Sequence, residues 1–158
     1  MHKSPKEWAR VVLNDFDMFL LDHAACERKA SALAMSMVVK YADRPAIVEP
    51  MVALAREELE HFQQVYKIIK KRGTWQHTHD EKDIYVRKVL SEARHGREER
   101  FLDKLIICGL IEARGCERFA LLSEYIEDRE LKEFYVDLST KEAGHYKLFI
   151  RLAKLFFS

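Results

Sequence analysis

The sequence predicts an all-α fold, in which two helical hairpins form a four-helix bundle. The 158 residues include only three prolines and five glycines, and 48% are hydrophobic, a composition that favours helices over tight turns. Apolar residues recur at helical spacing through four long segments. The tetrapeptide Glu-x-x-His occurs twice, in the second and fourth of these segments. A chain of this length can bury one continuous core, so we expect a single domain spanning residues 1–158.

The first half of the chain is predicted to contain a lead-in helix and a hairpin. Residues 1–14 begin with Ser4-Pro5-Lys6-Glu7, which is typical of a capping box with proline at the first helical position. Residues 15–72 form the first hairpin, with one helix ending near Ala42 and the next starting near Ile47. Gly73 is the expected left-handed cap of the second helix.

The second half is predicted to repeat the hairpin after a crossover. Residues 73–96 form that crossover, with a short helix over 84–95 and a break at Gly96. Residues 97–158 form the second hairpin, whose helices span about 97–126 and 129–156. Two hairpins joined in this way make a four-helix bundle.

The cysteines and the apolar runs indicate the compartment. Cys26, Cys108 and Cys116 are odd in number and lack C-x-x-C spacing, so we expect small core residues in a reducing environment. No apolar run approaches the 18 residues of a membrane span, and the first residues lack the apolar core of a signal peptide. We therefore expect a cytoplasmic protein without membrane association.

The two Glu-x-x-His motifs predict metal ligands. Glu58 and His61, like Glu142 and His145, are three residues apart and so project from one face of a helix. Glu27 lies 31 residues before Glu58 and can complete the first pair. Four glutamates and two neutral histidines would neutralise two ferrous ions. Without metal, four buried carboxylates would be costly or would bind protons.

The ligand in the third long helix has two candidates. Glu112 precedes Glu142 by 30 residues, close to the spacing in the first half, whereas Glu117 precedes it by only 25. Glu117 instead matches Glu27 in a repeated Cys-Glu-Arg sequence. Five residues are about 7.5 Å and roughly 140° apart on a helix, so both cannot serve one place. We predict Glu112, with Glu117 as a neighbouring or alternative ligand.

His23 lies one helical turn before Glu27. At that position its imidazole could hydrogen-bond a ligand or line a pocket. An interior histidine satisfied by the core is an equally good interpretation. We do not assign it as a ligand.

A basic surface near the crossover is a candidate for nucleic-acid binding. The formal charge is only +1, with 27 basic and 26 acidic residues, but four metal-bound glutamates would leave 22 acids. Basic residues at a helix end also commonly just complement the helix dipole. Trp75, His77 and His79 are available for stacking or phosphate contacts. The basic candidates are Lys70, Lys71, Arg72, Arg87, Lys88, Arg94 and Arg97.

Four segments closely resemble the tRNA 2-methylthio-N6-isopentenyladenosine hydroxylase family, within the ferritin-like di-iron superfamily. Glu-x-x-His alone is typical of the whole superfamily, whereas the sequence from Ile111 to Phe119 is far more selective. The similarity runs from about Trp8 to the last residue. Members of the family usually carry additional sequence at their ends, so we expect this chain to be shorter than they are. The segments are Asp22–Ala30, Ala55–Phe62, Ile111–Phe119 and Glu142–Tyr146.

The resemblance implies a non-haem di-iron monooxygenase. Such an enzyme hydroxylates the isopentenyl group of the hypermodified adenosine next to the tRNA anticodon, with O2 as co-substrate and two electrons from an external reductase. It implies two iron ions, a tRNA substrate and no DNA. No side chain beyond the ligands need act in catalysis. Alternatives that use the same bundle are a ferritin-like ferroxidase that detoxifies iron and a peroxidase. The implied ligands are Glu27, Glu58, His61, Glu112, Glu142 and His145.

Overall fold

The computed structural model describes residues 2–74 and 84–157. Within these two ranges the chain is helical, with no strand and no helix long and apolar enough to cross a membrane. The chain divides into two compact units, Asn14–Glu81 and Met1–Leu13 with Lys82–Ser158. The helices are α1 (Lys6–Asn14), α2 (Phe16–Lys40), α3 (Pro45–Arg72), α4 (Ile84–Ser91), α5 (Arg97–Tyr125) and α6 (Arg129–Phe157).

The unit Asn14–Glu81 is the hairpin of α2 and α3. The Asp15 side chain caps α2 by accepting a backbone N–H. Helix α3 begins at Pro45, two residues earlier than predicted, because proline suits the first helical turn. Pro50 consequently lies inside α3 rather than in its first turn. Gly73 adopts a left-handed φ of 73° and caps α3, as predicted.

The α2/α3 interface contains the core of this unit. Burying each large apolar side chain stabilises the fold by about 1.5–3 kcal/mol relative to leaving it exposed. The Ser31 hydroxyl of α2 also donates to the Ala55 carbonyl of α3, at 2.7 Å. These contacts fix how the two helices are aligned lengthwise. The side chains without exposure are Leu20, Met37, Tyr41, Ile47, Met51, Val65 and Ile69.

The other unit is built on the hairpin of α5 and α6. Gly109 lets these helices approach closely, because a Cβ atom there would lie 3.4 Å from the Cβ of Phe149. Aromatic contacts continue along the interface, with the Phe119 and Tyr135 rings 5.5 Å apart. The fully buried side chains of this unit include Phe101, Leu105, Leu122 and Tyr135.

The first residues of the chain are bound to α5. Ser4, predicted as a helix cap, donates its backbone N–H and its hydroxyl to the Glu117 carboxylate, at 2.6 and 2.8 Å. Arg114 donates to the His2 carbonyl at 2.7 Å. The Arg118 guanidinium lies 5.0 Å from the centre of the Trp8 ring, a cation–π geometry. These contacts hold α1 and its preceding residues against α5.

Helix α4 ends four residues before the predicted boundary. The chain leaves the helix at Ser91, and Arg94 is then held by Asp103 of α5. Arg94 donates its backbone N–H and its Nε to one Asp103 oxygen, both at 2.9 Å, and its Nη2 to the other at 2.7 Å. This pairing lowers the pKa of Asp103 to about 2 and fixes the turn between α4 and α5.

Candidate metal-binding residues

Helices α2 and α3 bring together Glu27, Glu58 and His61, as the sequence predicts. The His61 Nδ1 atom lies 3.5 Å from Glu27 Oε2 and 3.5 Å from Glu58 Oε2. All three side chains are buried, with residue exposures of 5%, 2% and 0%. Three ligand-type atoms thus converge inside the hairpin.

These separations fit a first coordination shell. Two atoms each about 2.1 Å from one ion, at an angle of about 110–120°, are about 3.4–3.6 Å apart. The donor set of two carboxylates and one imidazole also suits ferrous iron. A hydrophobic core has no other need for two acids at this depth, since each burial is unfavourable without a cation. The residues therefore fit a metal ion.

The electrostatics of this set depend on hydrogen bonds that outweigh burial. Burial opposes the charged form of Glu27, but hydrogen bonds from His23 and His61 lower its pKa well below the ordinary value. Burial also disfavours the His61 imidazolium, yet Glu27 and Glu58 raise the pKa of His61 to about 9. In the metal-free protein a proton on His61 thus offsets part of the carboxylate charge, and a metal ion would replace it.

Helices α5 and α6 bring together Glu112, Glu142 and His145. The His145 Nδ1 atom lies 3.8 Å from Glu112 Oε2 and 3.9 Å from Glu142 Oε2. Their residue exposures are 8%, 4% and 4%. This arrangement repeats that of α2 and α3, with slightly longer separations. Each hairpin therefore carries one buried Glu–Glu–His set.

Glu117 occupies a different position from Glu112. Its carboxylate accepts hydrogen bonds from Ser4 and from Arg114, the latter at 3.1 Å. Burial opposes the charged form, but these hydrogen bonds lower the pKa of Glu117. The structure therefore engages Glu117 in the attachment of the first residues to α5, and the choice of Glu112 as ligand remains a prediction that this geometry favours.

Gly115 is a site residue to which the sequence analysis assigned no role. A Cβ atom at this position would lie 3.4 Å from Glu142 Oε2 and 3.7 Å from its carboxyl carbon. Glycine in a helix interior costs about 1 kcal/mol relative to alanine, so its presence in α5 was the available signal. Gly115 leaves room for the Glu142 carboxylate.

The three cysteines are thiols without disulfides. Burial raises the pKa of Cys108 to about 12, with the charge of Glu112 adding to the effect. Cys26 and Cys116 are partly exposed. The predicted role as small core residues applies best to Cys108.

The basic candidates for RNA binding are exposed, but two of them have internal partners. Arg72 donates to Asp17 at 2.5 Å and lies over the Phe16 ring, and Arg94 is held by Asp103. Trp75, His77 and His79 lie outside the described residues. The exposed candidates are Lys70, Lys71 and Arg72 in α3, and Arg87, Lys88, Arg94 and Arg97 in and after α4.

Comparison with known proteins decides the family. The sequence model of tRNA-(MS[2]IO[6]A)-hydroxylase (MiaE) matches residues 1–158, the whole chain. The chain belongs to this family. Membership confirms the predicted family and, with it, the expectation of a tRNA-modifying hydroxylase.

Individual relatives agree with the family. The chain is 36% identical over 150 residues to the tRNA 2-(methylsulfanyl)-N(6)-isopentenyladenosine(37) hydroxylase of Pseudomonas putida, covering 95% of this chain and 72% of that protein. It is also 36% identical over 108 residues to the hydroxylase of the same name from Salmonella typhimurium, covering 68% of this chain and 39% of that protein.

A solved structure supports the fold class. The chain is similar to protein 43 with aldehyde deformylating oxygenase activity from Synechococcus, with a TM-score of 0.90 and 38% identity. The similarity covers 99% of this chain and 77% of that one. The predicted fold class, all-α and ferritin-like with two helical hairpins, is confirmed.

Proposed function

We propose that this chain is a di-iron monooxygenase that hydroxylates the isopentenyl group of 2-methylthio-N6-isopentenyladenosine next to the tRNA anticodon. The observation that carries the proposal is the buried Glu–Glu–His set in each hairpin of a chain from this family. Its curated relatives bear the name of that activity. Glu27, Glu58 and His61 would hold one iron, and Glu112, Glu142 and His145 the other.

The reaction needs an oxidant stronger than any side chain. The iron ions would supply it by activating O2 with two electrons. One oxygen atom enters the C–H bond of the prenyl group, and the other leaves as water with two protons. The electrons come from an external reductase, which we propose as a partner.

The protein's own residues prepare that chemistry by exclusion and orientation. The ligand side chains are buried, which keeps bulk water from the oxidising site and strengthens their interaction with a cation. His23 holds one oxygen of Glu27 through a hydrogen bond of 2.7 Å. Gly115 leaves space beside Glu142. No side chain need act as nucleophile.

The tRNA contact is proposed for the exposed basic residues around the crossover. Arg72 and Arg94 already neutralise Asp17 and Asp103, so they are weaker candidates. Arg87 and Lys88 are exposed on α4 and are better placed for phosphate contacts. A tRNA substrate also supports the cytoplasmic location that we propose.

The decisive experiment uses the iron-loaded protein, a reductant system and O2 with tRNA that bears the prenylated nucleoside. Nucleosides are then analysed by mass spectrometry. We expect a product heavier by one oxygen atom, which carries the label when 18O2 is supplied. Iron oxidation without any oxygenated nucleoside would support the ferroxidase alternative instead.

The RNA surface needs its own test. Replacing Arg87 and Lys88 by glutamate should weaken tRNA binding and flatten its salt dependence. The matched control is Lys132→Glu, an exposed residue at the start of α6. Equal losses in both variants would show only a general charge effect.

A further inference from the structure

The two Glu–Glu–His sets differ in the residue that precedes their first glutamate by one turn. Leu105 and Glu112 each lie 85 residues after Leu20 and Glu27. Both leucines have no exposure and both glutamates are buried, so this shift aligns the two helices structurally. The same shift places Cys108 at the position of His23. The pattern of α2 and α5 therefore matches around the ligands but not at this turn.

At the first position, an imidazole holds the carboxylate. The Nε2–H of His23 donates to Glu27 Oε1 at 2.7 Å, and His23 is only 4% exposed. The other oxygen of Glu27, Oε2, lies 3.5 Å from His61 Nδ1. The ring of Phe19 lies 5.7 Å from the His23 ring. One Glu27 oxygen is thus engaged by His23, and the other faces the imidazole of the ligand set.

At the second position, a thiol replaces the imidazole. Cys108 is 3% exposed, and a thiol is only a weak hydrogen-bond donor. Among the described residues no hydrogen bond to the Glu112 carboxylate is present. The orientation of Glu112 is therefore less constrained than that of Glu27.

We propose that His23 is a positioning residue that restricts Glu27 to one ligating oxygen and makes the two sets bind metal with unequal affinity. The α2/α3 set is the tighter one, because part of the ordering of its carboxylate is completed before the metal binds. The α5/α6 set, with Cys108 in the equivalent place, is weaker and exchanges metal faster. This inference rests on the proposed function only in taking the six residues as ligands.

The test is a titration of metal-free protein with cobalt(II) alone, followed optically and by calorimetry. We expect the wild-type protein to bind two ions in separable steps. His23→Leu, which removes the donor at similar volume, should weaken the tighter step by about 10- to 100-fold and leave the weaker step unchanged. His23→Gln, which keeps an N–H at the ε position, should retain the tighter step within about 3-fold. Cys108→Ala is the matched control and should leave the tighter step unchanged.

Several results would overturn the inference. Two indistinguishable steps in the wild-type protein would do so, as would a His23→Leu isotherm identical to it. An equal loss in His23→Gln and His23→Leu would show that the donor is not the feature that matters. Circular dichroism of the metal-free variants separates a loss of folding from a loss of affinity. Stepwise binding as described, together with no tRNA hydroxylation, would overturn the proposed function and leave the inference standing.

Discussion

Exchanging Glu112 or Glu117 for glutamine should produce opposite effects on metal binding and on folding stability. Both residues are on α5, and both were candidates for the same ligand role. The change to glutamine removes the negative charge and keeps nearly the same volume. Because the two carboxylates have different surroundings, each variant is the matched control of the other.

Glu112→Gln should weaken metal binding without destabilising the metal-free protein. Glu112 is 8% exposed, and its Oε2 lies 3.8 Å from His145 Nδ1. Losing this charged ligand should reduce the affinity of one metal step by at least about 100-fold, which corresponds to about 2.8 kcal/mol. Without metal, removing a buried charge should leave the free energy of unfolding unchanged or raise it by about 1 kcal/mol.

Glu117→Gln should have the reverse effect. The carboxylate accepts from Ser4 at 2.6 and 2.8 Å and from Arg114 at 3.1 Å. Hydrogen bonds to a charged group are worth about 1.5–3 kcal/mol when fully buried. The Glu117 side chain is 22% exposed, so we expect a total loss of about 1–2 kcal/mol. For a chain of this size the melting temperature should fall by about 2–6 °C.

The assay combines two measurements on each variant. Cobalt(II) titration of metal-free protein gives the affinity of each step, and urea unfolding of the same metal-free protein gives the stability. Normal metal binding by Glu112→Gln, together with loss of a step in Glu117→Gln, would refute the spacing argument and restore the ligand favoured by the Cys-Glu-Arg repeat.

Three further outcomes are expected. Because His61 in the metal-free protein has a pKa raised to about 9, iron(II) binding at pH 7 should release about one proton from it, measurable by calorimetry in buffers of different ionisation enthalpy, and the release should vanish well above pH 9. The same shift means that its pairing with Glu27 and Glu58 stabilises the metal-free protein fully below pH 6.5 and progressively less as the pH rises through 9. Cys108, with its pKa raised to about 12, should react with iodoacetamide at least about 100-fold more slowly than Cys116, as peptide mass spectrometry would show. Gly115→Ala should gain about 1 kcal/mol of helix propensity yet weaken one metal step, and a titration with unchanged affinities would contradict the role in accommodating a ligand carboxylate.

The sequence predicted the helices well because their ends are marked by residues with unusual backbones. Pro45 begins α3, and Gly73, with its φ of 73°, ends it. The predicted boundary failed at the end of α4, where Arg94 is drawn away by Asp103. That pairing joins residues nine positions apart across a turn, and helical periodicity contains no information about it.

Within the candidate site, the sequence predicted what depends on spacing along one helix. Glu58 and His61 converge because three residues separate them. Gly115 beside Glu142 depends instead on how closely α5 approaches α6. The bonds between Ser4 and Glu117 join residues 113 positions apart. Such contacts follow from packing, which no local pattern encodes.

The Cys-Glu-Arg repeat shows why identical local sequences can occupy different environments. Glu27 is buried beside His61, whereas Glu117 is bonded to Ser4. The burial pattern aligns Glu27 with Glu112, so the two Cys-Glu-Arg sequences differ by five residues in their structural position. A helix turns roughly 140° over that distance, which directs the second copy away from the ligand set. The distance from each first glutamate to the following Glu-x-x-His therefore indicates a ligand more reliably than the residues adjacent to it, because that distance reflects the pairing of two helices.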